Sequence, residues 1–209
     1  MKKVIFILSI FTLIYSCSKT ESTPPVVIKV TAEDSMRLGL IKIGQKFQGG
    51  IVAYFLQPGD PGYDANIKHG LIAATEDQSK GILWYNTSTR TGASDTAIGT
   101  GLANTNKIIA SQGATSTSYA AGLARAYKGG GYSDWYLPSK NELNLFCKNI
   151  REVGNFPDQG YWSSTEINTN PDVSSSAWGQ RFISNFVGSC TQGSTSKNTS
   201  LYVRAIRSF

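Results

Sequence analysis

Few side chains in this chain could move a proton, attack a carbon or hold a metal. His69 is the sole histidine. It precedes a glycine and an apolar run, which predicts a turn or core-edge role. One histidine rules out HExxH and multi-histidine metal sites. No G-x-S-x-G nucleophile elbow occurs. Gly99-Thr100-Gly101-Leu102-Ala103-Asn104 opens like a dinucleotide-binding loop, but it lacks the last glycine and no strand precedes it. Asn168, Asn170 and Asp172 alternate like oxygen ligands for calcium, yet no EF-hand loop follows. Recognition chemistry is better supplied than turnover. Trp178 offers a flat ring, and Glu166, Asn168, Asn170, Gln180 and Asn185 offer polar groups around it. Arg181 can pair with a sulfate or carboxylate. The expectation is a binding protein, not an enzyme, with no resident cofactor or metal; calcium-dependent sugar binding is the minor alternative. Trp84, Trp135 and Trp162 are expected in the core, where large rings supply buried area.

Cysteines are the other reactive groups. Cys147 and Cys190 form either a disulfide, as an exported chain allows, or two buried thiols. Cys17 stands apart from them. Met1-Lys2-Lys3 is basic, Val4 to Leu13 is almost unbroken apolar sequence, and a small residue precedes Cys17. That order reads as an export signal, too short to span a bilayer permanently. Ile14-Tyr15-Ser16-Cys17 resembles the lipobox of bacterial lipoproteins. The resemblance implies that residues 1–16 are removed and that Cys17 carries acyl chains, each buried CH2 contributing about 0.8 kcal/mol to anchoring. The alternative is an ordinary signal with a chance cysteine. A lipid-anchored outer-membrane protein, cell-surface exposed or periplasmic, is therefore expected. Its partners would be the membrane through the lipid and a glycan or protein ligand. Ser18 to Pro25 lacks apolar residues, so residues 17–42 read as a tether. Ala32 to Gly39 reads as one or two helical turns. Loss of Lys2 and Lys3 takes the formal charge from +6 to +4. The remaining cations are scattered, with no basic stripe for nucleic acid.

These groups need a scaffold, and residues 43–209 supply one domain. Phe47 to Phe55, Gly70 to Ala74 and Gly81 to Tyr85 read as strands that could pair in sequence. Asn86 to Gly99 reads as a loop. Leu102 to Gln112 and Tyr119 to Tyr127 have helical spacing, stopped by Gly129-Gly130-Gly131. Ser139 and Glu142 form a capping box that starts a helix at Lys140. Gly160 to Glu166, Ala177 to Phe182 and Leu201 to Arg207 read as strands. Asn168 to Ser176 and Ser184 to Ser200 read as polar loops.

Several of these motifs, in this order, resemble the Lcl C-terminal domain family, which overlaps the Fibrobacter succinogenes major paralogous domain group. They are Gln45 to Val52, His69 to Ala74, Gly131 to Leu143, Tyr161 to Glu166 and Tyr202 to Arg207. The resemblance implies an α+β, C-type-lectin-like fold of two main helices on small twisted antiparallel sheets. It implies an extracytoplasmic adhesin-like module, in some members for sulfated glycans, with Ile167 to Ser200 as the ligand surface. Plain polar loops are the alternative there. A runner-up role is an envelope assembly component that binds another protein. An enzyme related to the formylglycine-generating enzymes comes last.

Overall fold

The computed structural model describes residues 29–87, 89–113, 117–149, 153–154, 156–167, 175–183 and 190–209. The architecture is α+β. Helix α1 (Ala32–Arg37) is capped by Thr31, whose side chain accepts from Asp34 N while Asp34 reaches back to Thr31 N. Strands β1 (Lys46–Phe47), β2 (Gly50–Phe55), β3 (Gly70–Ala74) and β9 (Ile206–Ser208) form one sheet in the order β1-β2-β3-β9. The β1–β2 hairpin turns at Gln48 and Gly49, both with positive φ. Gln48 is the non-glycine residue held there, and Arg207 donates to its side chain at 2.8 Å.

The second sheet has the order β4-β8-β5-β6-β7. It contains β4 (Ser79–Ile82), β5 (Gly160–Ile167), β6 (Ser176–Arg181), β7 (Thr191–Ser196) and β8 (Leu201–Val203). The sequence expectation that the third strand pairs with the second is corrected here. β4 pairs with β8, because Asp77 and Gln78 leave the first sheet to meet Arg204 and Ala205. Likewise the run Leu201 to Arg207 is two strands in two sheets. The chain crosses between them at Arg204, whose buried guanidinium donates to Asp77 and to Ala74 O.

Helices α2 (Gly101–Gln112), α3 (Ala120–Ala126) and α4 (Lys140–Lys148) fill the space around the sheets. One core gathers Ile108 of α2, Ala120, Ala121 and Ala124 of α3, and the fully buried Trp84, Trp135 and Trp162. Each indole N–H finds a carbonyl: Ser163 O, Gly129 O and Ile82 O respectively. A second core packs Leu143 and Phe146 of α4 against Tyr161, Phe156 and Phe182. Cys147 and Cys190 form a disulfide with a Cα–Cα distance of 5.8 Å, fastening α4 to the start of β7. His69 Nδ1 lies 3.1 Å from Phe209 O, at the sheet edge where its glycine neighbour starts β3.

The capping box at α4 does more than start one helix. Glu142 accepts from Ser139 N at 2.7 Å and from Gly99 N at 2.9 Å, and Gly101 N also donates to it. Thr100, the N-cap of α2, makes no side-chain cap bond. A single carboxyl group thus caps both α2 and α4. A Cβ at Gly101 would fall 2.2 Å from Glu142 Oε2, so this approach requires glycine. Burial pushes the Glu142 carboxyl up to about 7, against the backbone hydrogen bonds that hold it down. An unfolded Glu releases its proton near 4.5. Between these two values the folded state holds more protons, so Glu142's contribution is full at the acid end and declines as pH rises through the window. We expect Glu142→Gln to cost about 1–3 kcal/mol. The stability gap between wild type and variant should narrow from pH 4.5 to pH 7. Denaturant melts across that range check this, and a gap that widens would refute it.

Candidate ligand-binding edge

The edge of the second sheet carries the exposed polar groups. β6 pairs antiparallel with β7 residue for residue, so Ala177, Gly179 and Arg181 share one face while Trp178 and Gln180 share the other. Phe182, in phase with Trp178, closes that second face with its buried ring against Phe156, 4.5 Å between ring centroids. This face looks toward α4. Trp178 is the half-buried tryptophan, and Lys140 Nζ stands 3.6 Å from its ring centroid. Such a cation–ring contact contributes about 0.5–2 kcal/mol.

Lys140 is aimed by three fixed points. Ser139 makes it the first residue of α4. Its N–H donates to Thr165 Oγ1, and its carbonyl accepts from Gln192 Nε2 at 2.7 Å. Gln192 and Ser194 of β7 lie opposite Gln180 and Trp178 in the register. The result is a polar patch of Lys140, Trp178, Gln192 and Ser194. Lys140, Gln192 and Ser194 were not singled out by sequence reasoning. β7 has no apolar alternation to announce a strand, and Lys140 looked like an ordinary first-turn residue.

The other face of the same strands is a shallow groove of about 200 Å3, floored by Gly179 and Gly193 and bounded by Arg181, Thr191 and Leu201. Arg181 is exposed, as a ligand contact must be, but it opens onto the face opposite Trp178. The two cannot both touch one small sugar from a single side.

Two of the sequence-selected residues are corrected by burial. Glu166 is 2% exposed. It pairs with Lys197, also buried, and accepts from Thr91 N and Gly92 N at 3.1 and 3.0 Å. Lys197 Nζ also lies 4.3 Å from the Trp84 ring, and burial pushes its pKa down against the pull of Glu166. Glu166 therefore holds the loop after Thr89 to the end of β5, its carboxylate turned inward. Gln180 is fully buried, its Nε2 donating to the carbonyls of Arg181 and Thr191. Cys17, Asn168, Asn170 and Asn185 lie outside the described residues, as does Asp172. Among the described residues no cluster of three His, Cys, Asp or Glu side chains could hold a metal ion, and no helix is long and apolar enough to cross a membrane.

Removing one partner of a buried pair leaves the other charge uncompensated, which costs about 3–5 kcal/mol. Glu166→Ala should therefore lower stability by that amount in chemical denaturation. At temperatures where the variant is folded, it should retain whatever ligand affinity the wild type has. Selective loss of ligand with full stability would restore Glu166 to the binding surface.

No curated protein matches the chain. The family model described as Lcl C-terminal domain matches residues 73–207, from the middle of β3 into β9. It spans both helices that Glu142 caps and the entire second sheet, whose strands lie within residues 79–203. β1 and β2 precede the match but belong to the same sheet as β3, β2 pairing with β3 and β1 with β2. The chain belongs to the Lcl C-terminal domain family.

Proposed function

We propose that this protein is a lipid-anchored, extracytoplasmic binding module with a C-type-lectin-like scaffold. It presents the β6–β7 edge and the two loops flanking β6 to a glycan or protein ligand. The observation that carries the reading is the Trp178–Lys140 pair: a half-buried indole with an ammonium group 3.6 Å from its ring centroid, beside Gln192 and Ser194. An aromatic surface suits the apolar face of a sugar, amide and hydroxyl groups suit its oxygens, and the cation suits a sulfate or carboxylate. The scaffold reading is supported by Phe209 packing on Phe47, ring centroids 5.3 Å apart, which brings the end of the domain next to its beginning. Export and anchoring rest on the first seventeen residues.

A glycan-array screen of a soluble form comprising residues 24–209 tests the ligand, with calcium, with chelator and at raised salt. Trp178→Ala should weaken binding at least tenfold, about the loss of 1.4 kcal/mol. Raised salt should weaken an acidic glycan further. Folded protein that binds no glycan would sink the sugar reading and favour a protein partner sought by pull-down from envelope extracts. Independently, Cys17→Ala should abolish acyl-label incorporation and release the protein from the membrane fraction. A variant that stays with the membranes would refute the anchor.

A further inference from the structure

Six large apolar side chains stand exposed among the described residues: Val30, Leu38, Leu40, Tyr63, Leu83 and Leu102. Four of them, Val30 at 49%, Leu38 at 66%, Leu40 at 53% and Tyr63 at 40%, belong to α1, its flanks and the loop facing it. Leu38 and Tyr63 line one cleft of about 450 Å3 there, together with Arg37 and Lys68. Helix α1 itself buries no residue, so it contributes nothing to either core. Yet it is built with care: Thr31 and Asp34 cap each other reciprocally, and Met36 O accepts from Lys68 N. A helix kept in place without a core to fill is positioned for something outside the domain.

Where the chain leads narrows the occupant. Lys29 opens the described segment, and Cys17 lies twelve residues before it. Even fully extended, that span reaches only about 40 Å. If Cys17 is acylated, this face is the part of the domain held nearest the bilayer. The exposed cations Lys29, Lys42 and Lys68 suit anionic headgroups, while the acidic groups of this face have local partners: Glu33 pairs with Arg37, Asp34 accepts from Thr31, and Asp64 accepts from Asn66 N. Exposed leucines beside lysines match the way interfacial segments seat in the headgroup region. The candidate ligand edge belongs to the other sheet.

We infer that the α1 face, led by Leu38, Leu40 and Val30, docks on the anionic bilayer surface and orients the domain on its anchor. This rests on the lipid-anchor reading above. The test uses the full-length chain with an environment-sensitive fluorophore at Leu38→Cys or at Ser194→Cys. Each is reconstituted into vesicles of phosphatidylethanolamine and phosphatidylglycerol, three to one, with and without a bilayer-embedded quencher. Emission at position 38 should shift to the blue and be quenched at least twofold more than at position 194. Val30→Ser with Leu40→Ser should bring the two positions together. Equal quenching in protein that floats with the vesicles overturns docking and leaves the anchor standing. Protein that does not float, with Cys17 unmodified by mass, overturns the anchor. The same labelled chain added to preformed vesicles then decides docking alone, and no blue shift at position 38 refutes it. A blue shift that appears without vesicles and grows with protein concentration also refutes it, because a second copy then covers the face.

Discussion

One buried carboxyl group holds the top of this domain together. Glu142 accepts backbone N–H groups from the starts of two helices and from the loop that joins Thr91 to Gly101. The loop has little apolar content of its own, so it keeps its shape through the polar partners it meets. Asp95 O receives Asn104 Nδ2 and Thr165 Oγ1, Thr96 O receives Asn141 N, and Ala97 O receives Ser139 Oγ. Helix α2, helix α4 and strand β5 are joined at that one loop. Lys140 follows Ser139 directly, so its position over Trp178 is set by the same cap. The candidate ligand surface is thus positioned by a fully buried carboxyl group beneath it.

Three further ion pairs extend this logic across long sequence distances. Glu166 meets Lys197, Asp77 meets Arg204, and Asp134 takes a two-pronged bond from Arg207. The Arg207 contact holds the Asp134 carboxyl below the usual carboxylate range. Net stabilisation from such pairs is modest, since desolvation offsets attraction. Their effect is on choice among arrangements. Arg204 cannot be buried except beside Asp77, and Arg207 reaches both Asp134 and Gln48 only if β9 leaves the second sheet for the first. The two arginines specify where one apparent strand divides.

Local signals in the sequence were read correctly where the physics is local. The Ser139–Glu142 capping box, the short apolar strands at Gly70 and Gly160, and the spacing of α2 and α3 all depend on neighbours within a few residues. The misreadings have a common origin in distant partners. Glu166 ends a polar stretch and looks exposed, but Lys197, thirty-one residues later, buries it. β4 looks like the next strand of a meander, but its partner is β8. β7 is Thr-Gln-Gly-Ser-Thr-Ser, without the apolar alternation that marks a half-buried strand, and only pairing with β6 defines it. The candidate site was half legible for the same reason. Trp178 and Arg181 could be picked by residue type, and their odd spacing within one strand sets them on opposite faces, whereas the neighbours each face meets follow from the pairing of β6 with β7.

An exposed strand with a free edge normally invites unwanted pairing. β7 ends its sheet, and among the described residues no strand pairs with its outer side. Its composition restrains that hazard: serine, threonine, glutamine and glycine give little apolar surface for a second chain to bury. The disulfide at Cys190, the residue before β7, ties its start to α4, and Lys197, the residue after it, fixes its far end through Glu166. A strand clamped at both ends but polar along its length loses little conformational entropy on meeting a ligand. Ser194, exposed and opposite Trp178 in the register, presents its hydroxyl on that face. Rigidity supplied from beneath and polarity left at the surface are the two properties that a binding edge requires, and in this chain distinct residues supply each.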